Sequence, residues 1–388
     1  MSYLMPTYAR QPISFVRGEG SYLYTADGTA YLDALTGIAV CGLGHCHPAI
    51  TSAISEQAGQ LVHTSNLFGV DWQEKAGEVL CRAANMQQVF FANSGAEANE
   101  CALKLARLYA HNQGKARPKV VVMEHSFHGR TLLTVSATAN PKARAGFFTL
   151  DDDFIRVPFG DIQAVADLDD ADICALLVEP IQGEGGLHTP PDDYLDALAK
   201  ICDDKDWLLM LDEVQTGNGR TGKYFAYQYS NITPDVLTTA KGLGNGFPIG
   251  ACMVSGKAVG LFGVGSHGST YGGTPLGSRI VCAVYEQLTD EVMTNAVTEG
   301  DFIRQAILDK FANRGISARG RGMMIGFAMP DGVDLSQAVD TARDVHHLII
   351  NVTGGNVIRL LPALNLSHAD AQLIVDKLSA LLDTLLDA

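Results

Sequence analysis

Between about residues 50 and 280 the chain alternates short, nearly continuous apolar runs with longer stretches whose apolar positions recur at helical spacing. The runs include QVFFAN (88–93), KVVVMEH (119–125), ICALLVEP (173–180) and WLLMLDEV (207–214). Runs that are apolar on both faces and separated by helices predict a mostly parallel sheet covered on each side. Ahead of them, YLYTADGTAYLDAL places two short strand-like runs around Asp27-Gly28, the pattern of a hairpin. The last hundred residues mix helical patterns with short strands such as NVIRLLPAL. The expected architecture is α/β. A large domain over 49–280 is joined by a smaller α+β domain built from 281–388 together with the N-terminal segment 1–48. No internal repeat is evident.

In open parallel sheets, ligands collect at the carboxyl ends of the strands. After QVFFA, Asn93 or Ser94 can cap a helix whose apolar positions include Ala98, Cys101, Leu105 and Leu108. Gly95 and Ala96 then lie in its first turn, where free amides and the helix dipole suit a phosphate. After KVVVMEH, the segment SFHGRT offers Phe127, able to stack on a flat ring, and Arg130, able to grip a carboxylate. After ICALLV come Glu179 and Glu184, beside glycines. After WLLML comes Asp212, a carboxylate leaving an apolar strand, which asks for a cationic partner. In DVLTTAKGLGNGFPIGA (235–251), Lys241 stands between an apolar run and four glycines. Each feature also has an ordinary reading: a capped helix, a core Phe, a surface Arg, a solvated loop lysine.

Composition narrows the field. The chain has 388 residues, 47% of them hydrophobic, with net charge −15 and a pI near 5.1. No lysine/arginine block is present, so nucleic acid is not expected as a partner. The N-terminus lacks the apolar core of a signal peptide, and no apolar run approaches the roughly 18 residues of a membrane helix. The eight cysteines include no CxxC pair and read as reduced core or near-core thiols of a cytoplasmic protein. Cys46 lies between His45 and His47, but alternating side chains on one short segment do not converge on an ion, and no metal is expected. GLGNG (242–246) is followed by Phe247, which breaks the dinucleotide-binding pattern of a dehydrogenase.

Lys241 and Asp212 together suggest pyridoxal 5′-phosphate, which needs a lysine for a Schiff base and an acid for its ring nitrogen. A phosphate cradle and an aromatic cover also have candidates at strand ends of the same sheet. In this order the stretches become a family signature: GIAVCGLGHCHP, FFANSGAEANECALKLAR, SFHGRT, VEPIQGEGG, LLMLDEVQTGNGRTG, DVLTTAKGLGNGFPIGA, HGSTYGGTPLG and GGNVIRLLPALN. The chain resembles the class III aminotransferases of the fold-type I pyridoxal-phosphate enzymes from residue 37 to 365. Within them it is most similar to the acetylornithine aminotransferases.

The resemblance implies roles. Lys241 would hold the cofactor and shuttle a proton, and Asp212 would pair with the ring nitrogen. Gln215 would lie near the ring hydroxyl, Val214 against one ring face and Phe127 over the ring. Gly95 and Ala96 would bind the phosphate, completed by Thr270 of a neighbouring subunit, with Ser269 near the substrate. A homodimer with shared sites follows. Arg130 would bind a substrate carboxylate. Arg359 would take the α-carboxylate of glutamate, masked by Glu184 while the other substrate is bound. The implied reaction moves the 5-amino group of N2-acetylornithine to 2-oxoglutarate, giving N-acetylglutamate 5-semialdehyde and glutamate, in arginine biosynthesis. Relatives using free ornithine carry a tyrosine close to the position of Ile38, whereas TGIAV here has no such hydroxyl. Thr274 and Asn245 depart from the family's usual Asn and Gly. The alternatives are succinylornithine, ornithine or 4-aminobutyrate as amine donor, or an aminomutase of the same fold.

Overall fold

A computed structural model describes residues 3–387. The N-terminal strands are β1 (Arg17–Glu19), β2 (Tyr22–Tyr24) and β3 (Ala30–Asp33). The central strands are β4 (Gln88–Ala92), β5 (Lys119–Met123), β6 (Phe154–Val157), β7 (Ile173–Val178), β8 (Leu208–Asp212), β9 (Val236–Thr239) and β10 (Gly250–Val254). The C-terminal strands are β11 (Ser317–Arg321), β12 (Met324–Ala328), β13 (Leu348–Ile349), β14 (Asn351–Thr353) and β15 (Val357–Leu360).

The central sheet has the order β4-β10-β9-β8-β7-β5-β6. The run from β9 to β6 is parallel, as the apolar runs predict. Only β10 runs against both of its neighbours, β4 and β9. β7, β8 and β9 are buried at every position, which is why their sequences show no polar alternation. Alternate side chains feed two cores. Val120, Val122, Leu177 and Met210 pack under Leu105 of the helix Gly95–Asn112. Val121, Met123, Leu176, Leu209 and Leu211 join the larger core on the other face.

The predicted hairpin is formed by β2 and β3, paired antiparallel. β13 adds to β3 in parallel, so the N-terminal strands share a sheet with a C-terminal one. A second small sheet has the order β11-β12-β15-β14. It carries Arg359 on β15, between two neighbours. The cysteine expectation needs one correction. Five thiols are buried and Cys41 and Cys81 are half-buried, but Cys46 is exposed because its backbone turns left-handed outside any element, at φ 50°.

One close approach ties the sheet to the functional end of the molecule. A Cβ on Gly250, which opens β10, would lie 2.4 Å from the carbonyl oxygen of Ser94. That backbone has no room to yield without shifting the start of the helix at Gly95. Gly250→Ala is therefore expected to cost about 1–3 kcal/mol of stability. The change would be read from the denaturant midpoint. An unchanged midpoint would mean that the two backbones are not locked together.

Candidate active site

The carboxyl ends of β4, β5, β7, β8 and β9 face a cavity of about 380 Å³. Its lining includes Gly95, Ala96, Phe127, Arg130, Glu184, Asp212, Val214, Gln215 and Lys241. Nine of the twelve residues to which the resemblance gives a role thus converge on one space. Arg359, Ser269 and Thr270 are not part of its lining.

At one end lies the start of the helix Gly95–Asn112. Ser94 is the cap: its hydroxyl accepts the Glu97 amide at 3.2 Å. The Gly95 and Ala96 amides, in the first turn, have no carbonyl four residues back inside the helix and point the positive end of the dipole outward. Gly95 has to be glycine here. A Cβ on it would come within 2.7 Å of Val214. The helix start and the apolar Val214 face therefore stand close enough to enclose a flat phosphorylated ring.

Asp212 is 3% exposed and sits at the last position of β8. Its Oδ2 accepts from Asn99 Nδ2 at 2.7 Å and is 2.8 Å from His128 Nδ1, while Oδ1 accepts the Val214 amide at 3.0 Å. Thr238 on β9 donates to Asn99 Oδ1. Within the chain this carboxylate is therefore held by His128 and Asn99, and sequence reasoning named neither. The signal was present: His128 stands between Phe127 and Arg130 in SFHGRT, and Asn99 one turn into the capped helix. Glu179, at the end of β7, accepts the Phe127 amide at 2.9 Å. Burial pushes its carboxyl up to about 7.

Lys241 has φ 49°, the left-handed region that non-glycine residues avoid, and its amine reaches the cavity from the loop after β9. Burial pushes its ammonium down to about 8, against the pull of Glu184. Asn218 holds this segment by donating to Thr239 Oγ1 at 2.8 Å and to the Ala240 carbonyl at 3.1 Å. Asn245, one of the two departures from the family pattern, accepts the Leu43 amide and donates to the Gly44 carbonyl. It fastens the lysine loop to the N-terminal segment.

Arg359 is fully buried. Its Nη1 donates to Glu184 Oε1 at 2.7 Å and to the Gly183 carbonyl at 2.9 Å, and its Nε donates to Asn351. Its Nη2 has no hydrogen-bond partner among the described residues. Burial works to raise the Glu184 carboxyl, but Arg359, Lys241 and Gln215 together outweigh it and hold the group below the usual carboxylate range. Gln215 donates to Glu184 at 3.3 Å and so belongs to this cluster. Glu184 lines the cavity and lies between it and the arginine.

On the outer side Arg130 is exposed and stands over the Phe127 ring, 5.5 Å from its centroid. In the TGIAV stretch the lining residue is Val40, not Ile38. Ser269 receives Asn93 Nδ2 at 3.2 Å, and the exposed Thr270 lines a separate recess of about 340 Å³.

A model of the aminotransferase class-III family matches residues 4–382. The acetylornithine aminotransferase of Nitrosomonas europaea is 48% identical over 100% of this chain and 99% of its own. The chain belongs to the class-III aminotransferases. Pyridoxal phosphate is the cofactor of that family, and the helix start, the buried carboxylate and the uncharged-prone lysine suit its phosphate, ring nitrogen and carbonyl. Among solved structures, the N-acetylornithine aminotransferase of Stenotrophomonas maltophilia superposes with TM-score 0.85 at 31% identity, covering 98% of both chains. The ornithine aminotransferase of Toxoplasma gondii reaches TM-score 0.93 at 30% identity, covering 98% of this chain and 94% of its own. This class-III aminotransferase therefore has the fold-type I architecture expected of it.

The lysine is open to a direct check in cofactor-free protein. Only a neutral amine reacts with an acylating reagent. Modification of Lys241 should therefore climb up to about pH 8 and level off above it. A rate still rising steeply towards about pH 10, as for an ordinary lysine, would show that burial does not govern the group.

Proposed function

We propose that this enzyme transfers the 5-amino group of N2-acetylornithine to 2-oxoglutarate, giving N-acetylglutamate 5-semialdehyde and glutamate, and serves arginine biosynthesis in the cytoplasm. The observation that carries the reading is the Glu184–Arg359 pair beside the Lys241 cavity. Glutamate brings its α-amine and α-carboxylate together to the reacting end and needs a cation there. Acetylornithine brings a primary amine alone and needs none. A guanidinium covered by a movable carboxylate serves both. The apolar Val40 wall agrees with an uncharged acylamino group, and the names of the N. europaea and S. maltophilia relatives point the same way.

When bound, the cofactor supplies the carbonyl that takes up the amino group and the ring that draws electrons from the substrate carbon. The chain's own residues do the rest. Lys241 offers its neutral amine as nucleophile and carries a proton at Nζ. Asp212, oriented by Asn99 and His128, holds a proton on the ring nitrogen. Gly95 and Ala96 bind the phosphate through their amides. Val214 and Phe127 enclose the ring, with Gln215 near its hydroxyl. Arg130 takes the distal carboxylate of either substrate.

We propose also that two copies form a homodimer with shared sites. The exposed Thr270, outside its own chain's cavity, is free to complete the partner's phosphate site, with Ser269 beside the substrate. Residues 49–280 then form the large domain, and 1–48 with 281–388 the small one. Among the described residues no helix is long and apolar enough to cross a membrane.

Two variants test the assignment. Asp212→Asn removes the charge at the ring nitrogen and leaves a donor facing Asn99. Breaking such a buried pair slows the overall reaction by about 10²–10⁴-fold. Near-normal turnover would show that another acid serves the ring. Glu184→Ala uncovers Arg359. The glutamate half-reaction should be kept or strengthened, while the acetylornithine half-reaction weakens because its carboxylate can now bind at the wrong end. Single-turnover absorbance of the cofactor follows each half. Equal losses in both would make the pair structural. Running acetylornithine, succinylornithine, ornithine and 4-aminobutyrate through the same assay ranks the amine donors.

A further inference from the structure

Four consecutive residues beside the cavity have left-handed backbone: Thr36 (φ 48°), Gly37 (67°), Ile38 (67°) and Ala39 (63°). Three of them carry a side chain, and two are β-branched. Each such residue costs about 1–2 kcal/mol, so the surroundings must impose the turn. Strain of this kind persists only where the structure over-determines it.

The surroundings that impose it are specific. Asp33, at the end of β3, is 1% exposed, and its Oδ1 accepts the amides of Leu35 at 2.9 Å and Thr36 at 2.8 Å. Its Oδ2 meets His45 Nε2 at 2.7 Å. His45 is itself pinned, its backbone bridged to Gly20 in both directions. A Cβ on Gly18 would touch its side chain at 2.8 Å. The hydrogen bond to Asp33, with a further one to Cys41, raises the imidazole to about 10. Downstream, the Thr36 carbonyl accepts the amides of Val40 and Cys41. Val40 is the residue that this turn delivers to the cavity. The Arg359 strand is held on both edges by β12 and β14, and it meets the turn only at its end, where Thr36 Oγ1 donates to the Leu361 carbonyl at 2.7 Å and the Leu361 amide donates to the Ala34 carbonyl.

We infer that Asp33 and His45 are specificity-determining positioning residues: by holding residues 36–39 left-handed they set Val40 as an apolar wall that seats an uncharged acylamino group and disfavours an ammonium. Neither residue lines the cavity. Both act through the turn. The inference rests on the reading of the substrate as an N-acylated diamine. Glutamate has no acylamino group, so its half-reaction does not use the wall.

The test uses the complete enzyme with four variants: Asp33→Ala, His45→Leu, His45→Gln and Val40→Ala. Half-reactions with acetylornithine, ornithine and glutamate are followed by cofactor absorbance, and amide exchange is measured at Val40 and Cys41. Loss of buried hydrogen bonds of this kind corresponds to about 10–100-fold in binding. Asp33→Ala and His45→Leu should raise half-saturation by acetylornithine by that factor with little change in its limiting rate. They should narrow the preference over ornithine, affect glutamate much less than acetylornithine and speed exchange of the two amides. His45→Gln, which keeps a donor to Asp33, should behave as the parent. Val40→Ala should reproduce the substrate effect with the amides still protected, and it decides the matter where Asp33→Ala does not fold. Equal losses for all three substrates would overturn the inference, as would unchanged acetylornithine saturation in Val40→Ala. A parent enzyme that ignores acetylornithine would instead remove the proposed function, while the exchange measurement would still show whether the pair holds the turn.

Discussion

A carboxylate at the end of a fully buried strand is the constraint around which this site is organised. Asp212 leaves β8 almost fully buried, and an isolated buried charge is too costly to keep. The chain answers with Asn99 from the helix on one side and His128 from the loop after β5 on the other. Asn99 also donates to the His128 carbonyl and accepts from Thr238 on β9. One acid thus fixes a helix, a loop and a strand relative to each other. The same three elements carry the phosphate-suited amides, the aromatic Phe127 and, two residues beyond β9, Lys241.

The second charged cluster works differently. Arg359 comes from the C-terminal sheet and Glu184 and Gln215 from loops of the central one, so the pair closes across two sheets. Its parts are tightly fitted: a Cβ on Gly183 would overlap the Gln215 side chain at 1.9 Å. Yet Glu184 keeps a third of its side chain exposed while the arginine has none. A fully buried cation under a partly exposed anion can be uncovered by moving the anion alone, which is what a site serving two unlike substrates in turn demands. The lysine belongs to the same field. Burial favours its neutral form and Glu184 opposes it, so any movement of Glu184 alters the readiness of Lys241 as well.

Much of this was written in the sequence. Apolar runs located β4, β5, β7 and β8 along the chain, because a residue packed between two layers of helices has no solvent side to mark with polarity. The rule that ligands gather at strand ends then selected Gly95, Ala96, Phe127, Asp212 and Lys241 without reference to any partner contact, and each of these lines the cavity. Local chemistry sufficed for the cap at Ser94 and for the hairpin at Asp27-Gly28.

What only the tertiary structure decided are the pairings between distant segments. A carboxylate advertises its need for partners, but nothing local says that His128, 84 residues away, stands within hydrogen-bond distance of it. The TGIAV stretch shows no tyrosine-like hydroxyl, but its backbone runs left-handed against the preference of Thr and Ile, so the residue facing the cavity is Val40 rather than Ile38. The parallel pairing of β13 with β3, and the position of Ser269 and Thr270 outside their own chain's cavity, are likewise invisible along the chain. Periodicity and strand-end chemistry are local and survive in sequence. Hydrogen bonds across hundreds of residues, and backbone strain imposed by packing, exist only once the chain has closed on itself.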